Sequence, residues 1–361
     1  MSENIVYMDV EKLQTFTKAV FIGLGVPEED ANICSDVLIA SDLRGIESHG
    51  VQRLKKYYEW IKTEIQSPVT KITIVKDTPT TARLDAGHGM GHVAAYRAME
   101  LAIMKAKDYG TGAISVGNST HFGIAGYYSL MAVKEEMIGI TVTNARPSVA
   151  PTFGIEPMLG TNPIAIGIPT DEKVPFLIDC ATSITARGKI EVHGRTNTPI
   201  PKGWVINGKG DLATESVQFL EDLKHGTAAM LPLGGVGEIL GGHKGYGYAT
   251  AVEILSAALW GGPFLKDLIP DKGYKLGHFF LAINVESFNK LTIFKKVAGE
   301  ICRSLRNSKK APSQDRIYTA GEKEYEMEIV RRKTGIPINK SIQQELMSMN
   351  SELGLNYDFN F

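Results

Sequence analysis

The chain has 361 residues, 43% of them hydrophobic and 22% charged, the balance of a globular protein with a substantial core rather than a disordered or fibrous one. Its formal net charge of −1 offers no broad field to nucleic acid or to an anionic membrane, so neither is expected as a partner and any basic site has to be local. Cys34, Cys180 and Cys302 lie far apart with no C-x-x-C pair, which argues against a disulfide scaffold and against a cysteine zinc site.

The opening MSENIVYMDVEKLQ is charged from Glu3 onward and lacks the apolar centre of a signal peptide. No segment nears the ~20 uninterrupted apolar residues of a membrane span, and a cytoplasmic location is expected. Residues 9–23 have helical spacing, with Asp9 as N-cap and Gly23 as stop. PEEDANICSDVLIASDLRG repeats the signal after Pro27. A third helix is predicted through SDLRGIESHGVQRL, residues 41–54, and on through LKKYYEWIKT.

The texture then changes. KITIVKDTPTTARLDA reads as two strands about a turn, AAYRAMELAIMKAKDYG as a helix ending at Gly110, TGAISVGNS as a strand and GIAGYYSLMAVKEEM as a helix. IGITVTNA, PIAIGIP and PFLIDCAT are further strands, and TAVEILSAALWG and VESFNKLTIFKKVAGEICRSLR are late helices. The tail carries a capped helix after Pro337. The pattern predicts an α/β (α+β) fold: a central mixed β-sheet covered by helices, with a discontinuous helical domain contributed by both chain ends. The expected division is a helical part over 1–75, a central cofactor-binding domain over 76–300, and a C-terminal part over 301–361 that returns to the first.

Five stretches carry candidate chemistry. On a helix, residues 41–54 would set Arg44 with Ser48, and His49 with Arg53, at i,i+4. Arg53 is suited to grip a carboxylate with its planar fork, and His49 to pass a proton; the alternative is a solvated helix face. In ISVGNSTHFGIAGYYS, residues 114–129, His121 falls at a strand-to-helix corner beside backbone N–H groups. A helix N-terminus there favours a neutral imidazole; the alternative is a capping histidine under a loop. LPLGGVGEILGGHKGYG, residues 231–247, satisfies neither the dinucleotide fingerprint nor the P-loop, yet its glycines with His243 and Lys244 suit a pyrophosphate. His88 and His92 are four apart, but three glycines around them favour a tight loop over a metal pair. Thr161 and Asn162, and Asp179 with Arg187 and Lys189, flank predicted strands where open sheets place ligands.

Taken in order, SDLRGIESHGVQRL, NSTHFGIAGYYS, GTNPIAIGIPT, ATSITARGKIE, PIPKGW, GGHKGYGYATAVEIL and GHFFLAI resemble the type-2 malate/L-lactate dehydrogenase family, also described as sulfolactate dehydrogenase-like. The family is not Rossmann-folded, in keeping with the unsatisfied fingerprint. The resemblance implies an NAD- or NADP-dependent oxidoreductase of small 2-hydroxy and 2-oxo acids, built as a homodimer with its site near the subunit interface. It implies Ser48 and His49 as an active-site pair, Arg53 and Thr161 as substrate contacts, and His121 as proton acceptor or cofactor contact. His121, Phe122, Gly123, Ile124 and Ala125, with Asp179, Cys180, Ala181, His243 and Lys244, match cofactor contacts. Lys189 stands where the imino-acid reductase branch has an aspartate, which disfavours an imine substrate.

The expected reaction is reversible hydride transfer between nicotinamide and malate or oxaloacetate. Arg53 and Arg44 would clamp carboxylate, and His121 in preference to His49 would carry the proton. Lactate, sulfolactate or another 2-hydroxy acid is the alternative within the family. A non-catalytic nucleotide-binding protein is the alternative of another class.

Overall fold

The computed structural model describes residues 5–268 and 275–359. A short strand β1 (Val6–Met8) leads to α1 (Val10–Gly23), which Asp9 caps by accepting the Lys12 N–H at 2.9 Å. Pro27 opens α2 (Glu28–Leu43), whose first turn carries three acids. The third helix departs from expectation: α3 spans only Leu54–Lys62, and two 3₁₀ turns, Glu47–His49 and Val51–Arg53, precede it. Two glycines explain the break. Gly45 has φ +76°, and the Asp42 carboxylate occupies the space a Cβ at Gly50 would need. The pairs Arg44/Ser48 and His49/Arg53 are therefore not helical i,i+4 neighbours.

The central sheet begins with the hairpin β2 (Thr73–Asp77) and β3 (Thr81–Asp85). The crossover helix α4 (Gly91–Tyr109), closed by left-handed Gly110, returns the chain to β4 (Thr111–Ser119), parallel to β3. Helix α5 (Ala125–Lys134) then leads to β5 (Met137–Thr143), followed by the antiparallel β6 (Ile164–Ile168) and β7 (Phe176–Cys180). A smaller unit follows: α6 (Arg187–Arg195), β8 (Val205–Ile206), β9 (Leu212–Ala213), α7 (Ser216–Lys224) and β10 (Ala229–Met230). Next come α8 (Gly242–Ala257), β11 (Leu276–Asn284), α9 (Leu291–Arg306), α10 (Glu322–Thr334), β12 (Ile336–Ile338) and α11 (Lys340–Leu353).

The seven-stranded order is β2-β3-β4-β11-β5-β6-β7. Strand β11, absent from the sequence reading, inserts antiparallel between β4 and β5 and is the middle of the sheet. Period-two alternation assigns the faces. Gly112, Ile114 and Val116 of β4 face α4, where Gly112 lets the strand approach the Ala102 carbonyl. Gly117 and Gly277 face the other way, against Trp260 and the last turn of α8. The second core unites both chain ends: β1 pairs with β12, and Leu13, Phe16, Leu38, Tyr57, Leu346 and Met349 pack together. No helix among the described residues is long and apolar enough to cross a membrane.

Candidate active site

Strand direction decides where a site can form. β4, β5 and β7 run the same way, so their C-terminal ends share one sheet edge with the starts of β6 and β11. Open α/β sheets bind ligands at such an edge, where loops leave and helix N-termini arrive. A cavity of about 870 Å³ lies over it, walled opposite by the 45–53 segment, α3 and the start of α6. That volume lies in the ordinary range for a small-molecule site, roughly 300–1,000 Å³.

The 45–53 segment is pinned from below. Asp42, at the end of α2, accepts the Val51 N–H at 2.8 Å, and burial pushes its carboxyl up to about 8. Arg331 of α10 donates to the Asp42 carbonyl and to the Glu47 carboxylate, tying both sides of the first turn. On this frame Ser48 Oγ meets His49 Nδ1 at 2.9 Å, and Arg53 Nε donates to the Ser48 carbonyl at 2.6 Å. Bracing the guanidinium through Nε leaves its terminal nitrogens to face the cavity as a fork.

His121 follows β4 and meets this segment. Its ring lies 5.5 Å from that of His49, centroid to centroid, tilted by only 24°. The Tyr57 hydroxyl is 2.6 Å from His121 Nδ1, and the Gly123 N–H donates to the same nitrogen at 3.3 Å. Because a backbone N–H always donates, Nδ1 is the acceptor, and the neutral ring carries its proton on Nε2. Burial lowers His49 to about 4, aided by Arg53; it also lowers His121 well below the usual range, aided by His49 and Arg53. Both imidazoles are neutral near pH 7 in this environment.

The lining holds seven lysines and arginines against four acids, a local excess that favours an anion although the whole chain is near neutral. Burial raises Asp179, at the end of β7, to about 6; the Gly126 N–H it accepts at 2.7 Å and Arg44 oppose that shift. Beneath the cavity, residues that sequence reasoning passed over hold the floor. Glu253 of α8 accepts from Asn162 at 2.9 Å and Asn144 at 3.3 Å; Asn162 in turn accepts the Ala145 N–H at 3.1 Å. Buried His278 of β11 bridges Thr143 (2.7 Å) and Ser119 (2.8 Å) and stacks on Phe122 at 15°. The GHFFLAI motif was the signal for His278, whereas Tyr57, on an amphipathic helix, left no signal of its own.

The fold gathers Ser48, His49, Arg53, His121, Phe122, Gly123, Ile124, Ala125, Thr161, Asp179, Cys180 and Ala181 around one cavity. Three expected residues lie outside its lining. Arg44 is buried with its guanidinium 3.7 Å from the Glu328 carboxylate. His243 and Lys244 stand exposed on the first turn of α8, because the helix starts at Gly242 and takes in part of the glycine-rich run. His88 sits in a turn with φ +55° while His92 is buried inside α4, so the two do not form a metal pair.

Known proteins resemble this chain along nearly its whole length. A malate dehydrogenase of Pyrococcus horikoshii is 46% identical over 98% of this chain and 98% of its own. An L-sulfolactate dehydrogenase of Methanocaldococcus jannaschii is 40% identical over 92% of this chain and 93% of its own. The crystal structure of malate dehydrogenase from Entamoeba histolytica superposes with a TM-score of 0.97 at 45% identity, covering 99% of this chain and 100% of that one. The family model described as malate/L-lactate dehydrogenase matches residues 8–347, which takes in both the sheet edge and the helices that close over it. On that match and these identities, the chain belongs to the malate/L-lactate dehydrogenase family.

Proposed function

We propose that this protein is a malate dehydrogenase that interconverts malate and oxaloacetate with NAD or NADP, working as a cytoplasmic homodimer. The observation that carries the reading is the convergence of the braced Arg53 fork and two stacked neutral imidazoles in one cavity. The donor set suits a nicotinamide dinucleotide: Arg187 and Lys189 for its phosphates, the Asp179 carboxylate for a ribose hydroxyl, and Ile124, Pro163 and Leu276 as apolar wall. When bound, that cofactor supplies the hydride acceptor and donor of the reaction.

Arg53 grips the carboxylate next to the reacting carbon, with Thr161 beside it. His121 offers Nε2 to the oxygen on that carbon, since Nδ1 is held by Gly123 and Tyr57. In reduction the ring, protonated at Nδ1 as well as Nε2 once the dianion is bound, gives its Nε2 proton to the oxygen and keeps the one on Nδ1. In oxidation that Nδ1–H tautomer, rather than the resting Nε2–H one, takes the proton back at Nε2. A dianion next to the ring raises the affinity of His121 for that proton. The Tyr57 hydroxyl turns from donor to acceptor as Nδ1 gains its own proton. His49, oriented by Ser48, polarises the substrate.

The homodimer reading is supported by an apolar patch formed by the glycine-rich loop and the adjoining Phe153, with Ile239 97%, Phe153 82% and Leu240 80% exposed; such patches mark association surfaces. His243 and Lys244 adjoin it and reach a cofactor across that interface rather than within one chain. The test is oxaloacetate reduction followed by loss of the reduced-nicotinamide absorbance. His121→Ala is expected to lower kcat by about 10²–10⁴-fold. Undiminished turnover by both His121→Ala and His49→Ala would refute the proton assignment.

A further inference from the structure

Resting on that reading, the structure also bears on which 2-oxo acid fits. Three lysines project from α3, and two of them have partners: Lys55 and Lys62 pair with Glu352 at 3.5 and 3.3 Å. Lys56 has none. Among the described residues its ammonium has no carboxylate within ion-pair distance and rests 4.9 Å from the Trp60 ring centroid. Lys56 and Trp60 both line the cavity.

The surroundings of Lys56 are cationic. Arg53, Arg187 and Arg146 all act on it, and Glu191, which opposes them, is already paired to Arg187 Nε at 3.1 Å. Lys56 is exposed in the single chain, yet partial desolvation among these side chains and Arg53 lower its ammonium to about 8. Arg53 and Lys56, which both line the cavity, also lie near enough to His121 to act on its ring.

That proximity matters because of substrate geometry. In a 2-oxo acid the first carboxylate is attached directly to the reacting carbon, and a second acid on C3 lies only two bonds further along. One guanidinium fork binds one carboxylate. Arg44, expected to serve the second, faces Glu328 outside the lining.

We propose that Lys56 is the specificity-determining residue that receives the second acidic group of the substrate, a carboxylate or sulfonate on C3. A site so built selects 3-carboxy or 3-sulfo 2-oxo acids over pyruvate, which leaves the ammonium unpaired. A hydrogen bond between charged partners is worth enough to discriminate by about 10- to 100-fold.

The test compares wild type with Lys56→Gln and Lys56→Arg on oxaloacetate, 3-sulfopyruvate and pyruvate, reading kcat and KM separately. The ratio of kcat/KM for each diacid to that for pyruvate should fall by about 10- to 100-fold in Lys56→Gln. The fall should appear chiefly in KM, with partial recovery in Lys56→Arg. Equal losses on diacids and pyruvate, or no loss, overturn the assignment and leave the proposed reaction standing. A wild type that reduces none of the three acids overturns both. A fall confined to one diacid upholds the role of Lys56 and identifies which acid group it meets.

Discussion

The segment from Gly45 to Arg53, read as part of a helix, and the run from Gly234 to Gly241, read as a loop, are both glycine-punctuated stretches next to a histidine and a cation, and both suggest an anion site. In the folded chain the first is fixed from several sides. Asp42 holds Val51, Arg331 holds Glu47, and Gly50 is packed where no side chain fits. The second has four glycines at positive φ, carries Ile239 and Leu240 outward, and contributes no lining to the cavity. Glycine marks where the backbone departs from regular structure; the buried polar anchors around it determine whether that departure orients chemistry.

Breaking the anchored loop should have the larger effect. Gly50→Ala places a methyl group where the Asp42 carboxylate lies, so the segment carrying Ser48, His49 and Arg53 must shift. Displacements near 1 Å cost about 10²-fold, and a fall of that order in kcat/KM for oxaloacetate is expected; wild-type kinetics would show that the packing does not hold the loop. For the exposed loop, Ile239→Asp should turn the dimer into a monomer by analytical ultracentrifugation. The KM for the reduced cofactor should then rise about tenfold, as loss of one charge-assisted contact would imply. An unchanged dimer would place the interface elsewhere.

The smallest effect sharpens the anchor itself. Asp42 is raised to about 8 in the fold, above its unfolded value near 4. Between those values the folded state holds a proton that the unfolded state has released, so this group's contribution to stability falls as pH rises from about 4 to about 8. The slope is at most about 1.4 kcal/mol per pH unit. Asp42→Asn, which keeps an acceptor for Val51 and cannot ionise, should flatten that decline in denaturant melts across the range. An unaltered pH profile would mean that Asp42 does not titrate as its burial implies.

Much of the periphery was legible because its signals are local. Asp9 caps α1, Gly110 closes α4 in the left-handed region, and Asn339 caps α11 through the Ile342 N–H. The middle strand β11 was missed for a physical reason. LGHFFLAIN has helices on both faces, so it lacks the alternation that marks a half-exposed strand. The helix expected across residues 41–54 failed because tertiary contacts at Gly45 and Gly50 outweighed a helical apolar stripe. His121 and the 45–53 cluster were legible as residue types in suggestive company. Lys56 and Tyr57 were not, because on an amphipathic helix a lysine reads as solvated and a tyrosine as core; only the sheet edge opposite them makes either a site residue.

The insertion of β11 between β4 and β5 also bears on how the protein is made. His121 and Asn144 leave neighbouring tracks of the sheet, and the rail between those tracks is supplied by residues 276–284. A ribosome must therefore release most of the polypeptide before the catalytic ledge can close. Until then β4 and β5 present unpaired backbone edges of the kind that template aggregation. Assembly of the working centre is thus a late step in the protein's biogenesis, whatever the helical segments at the N-terminus have done before it.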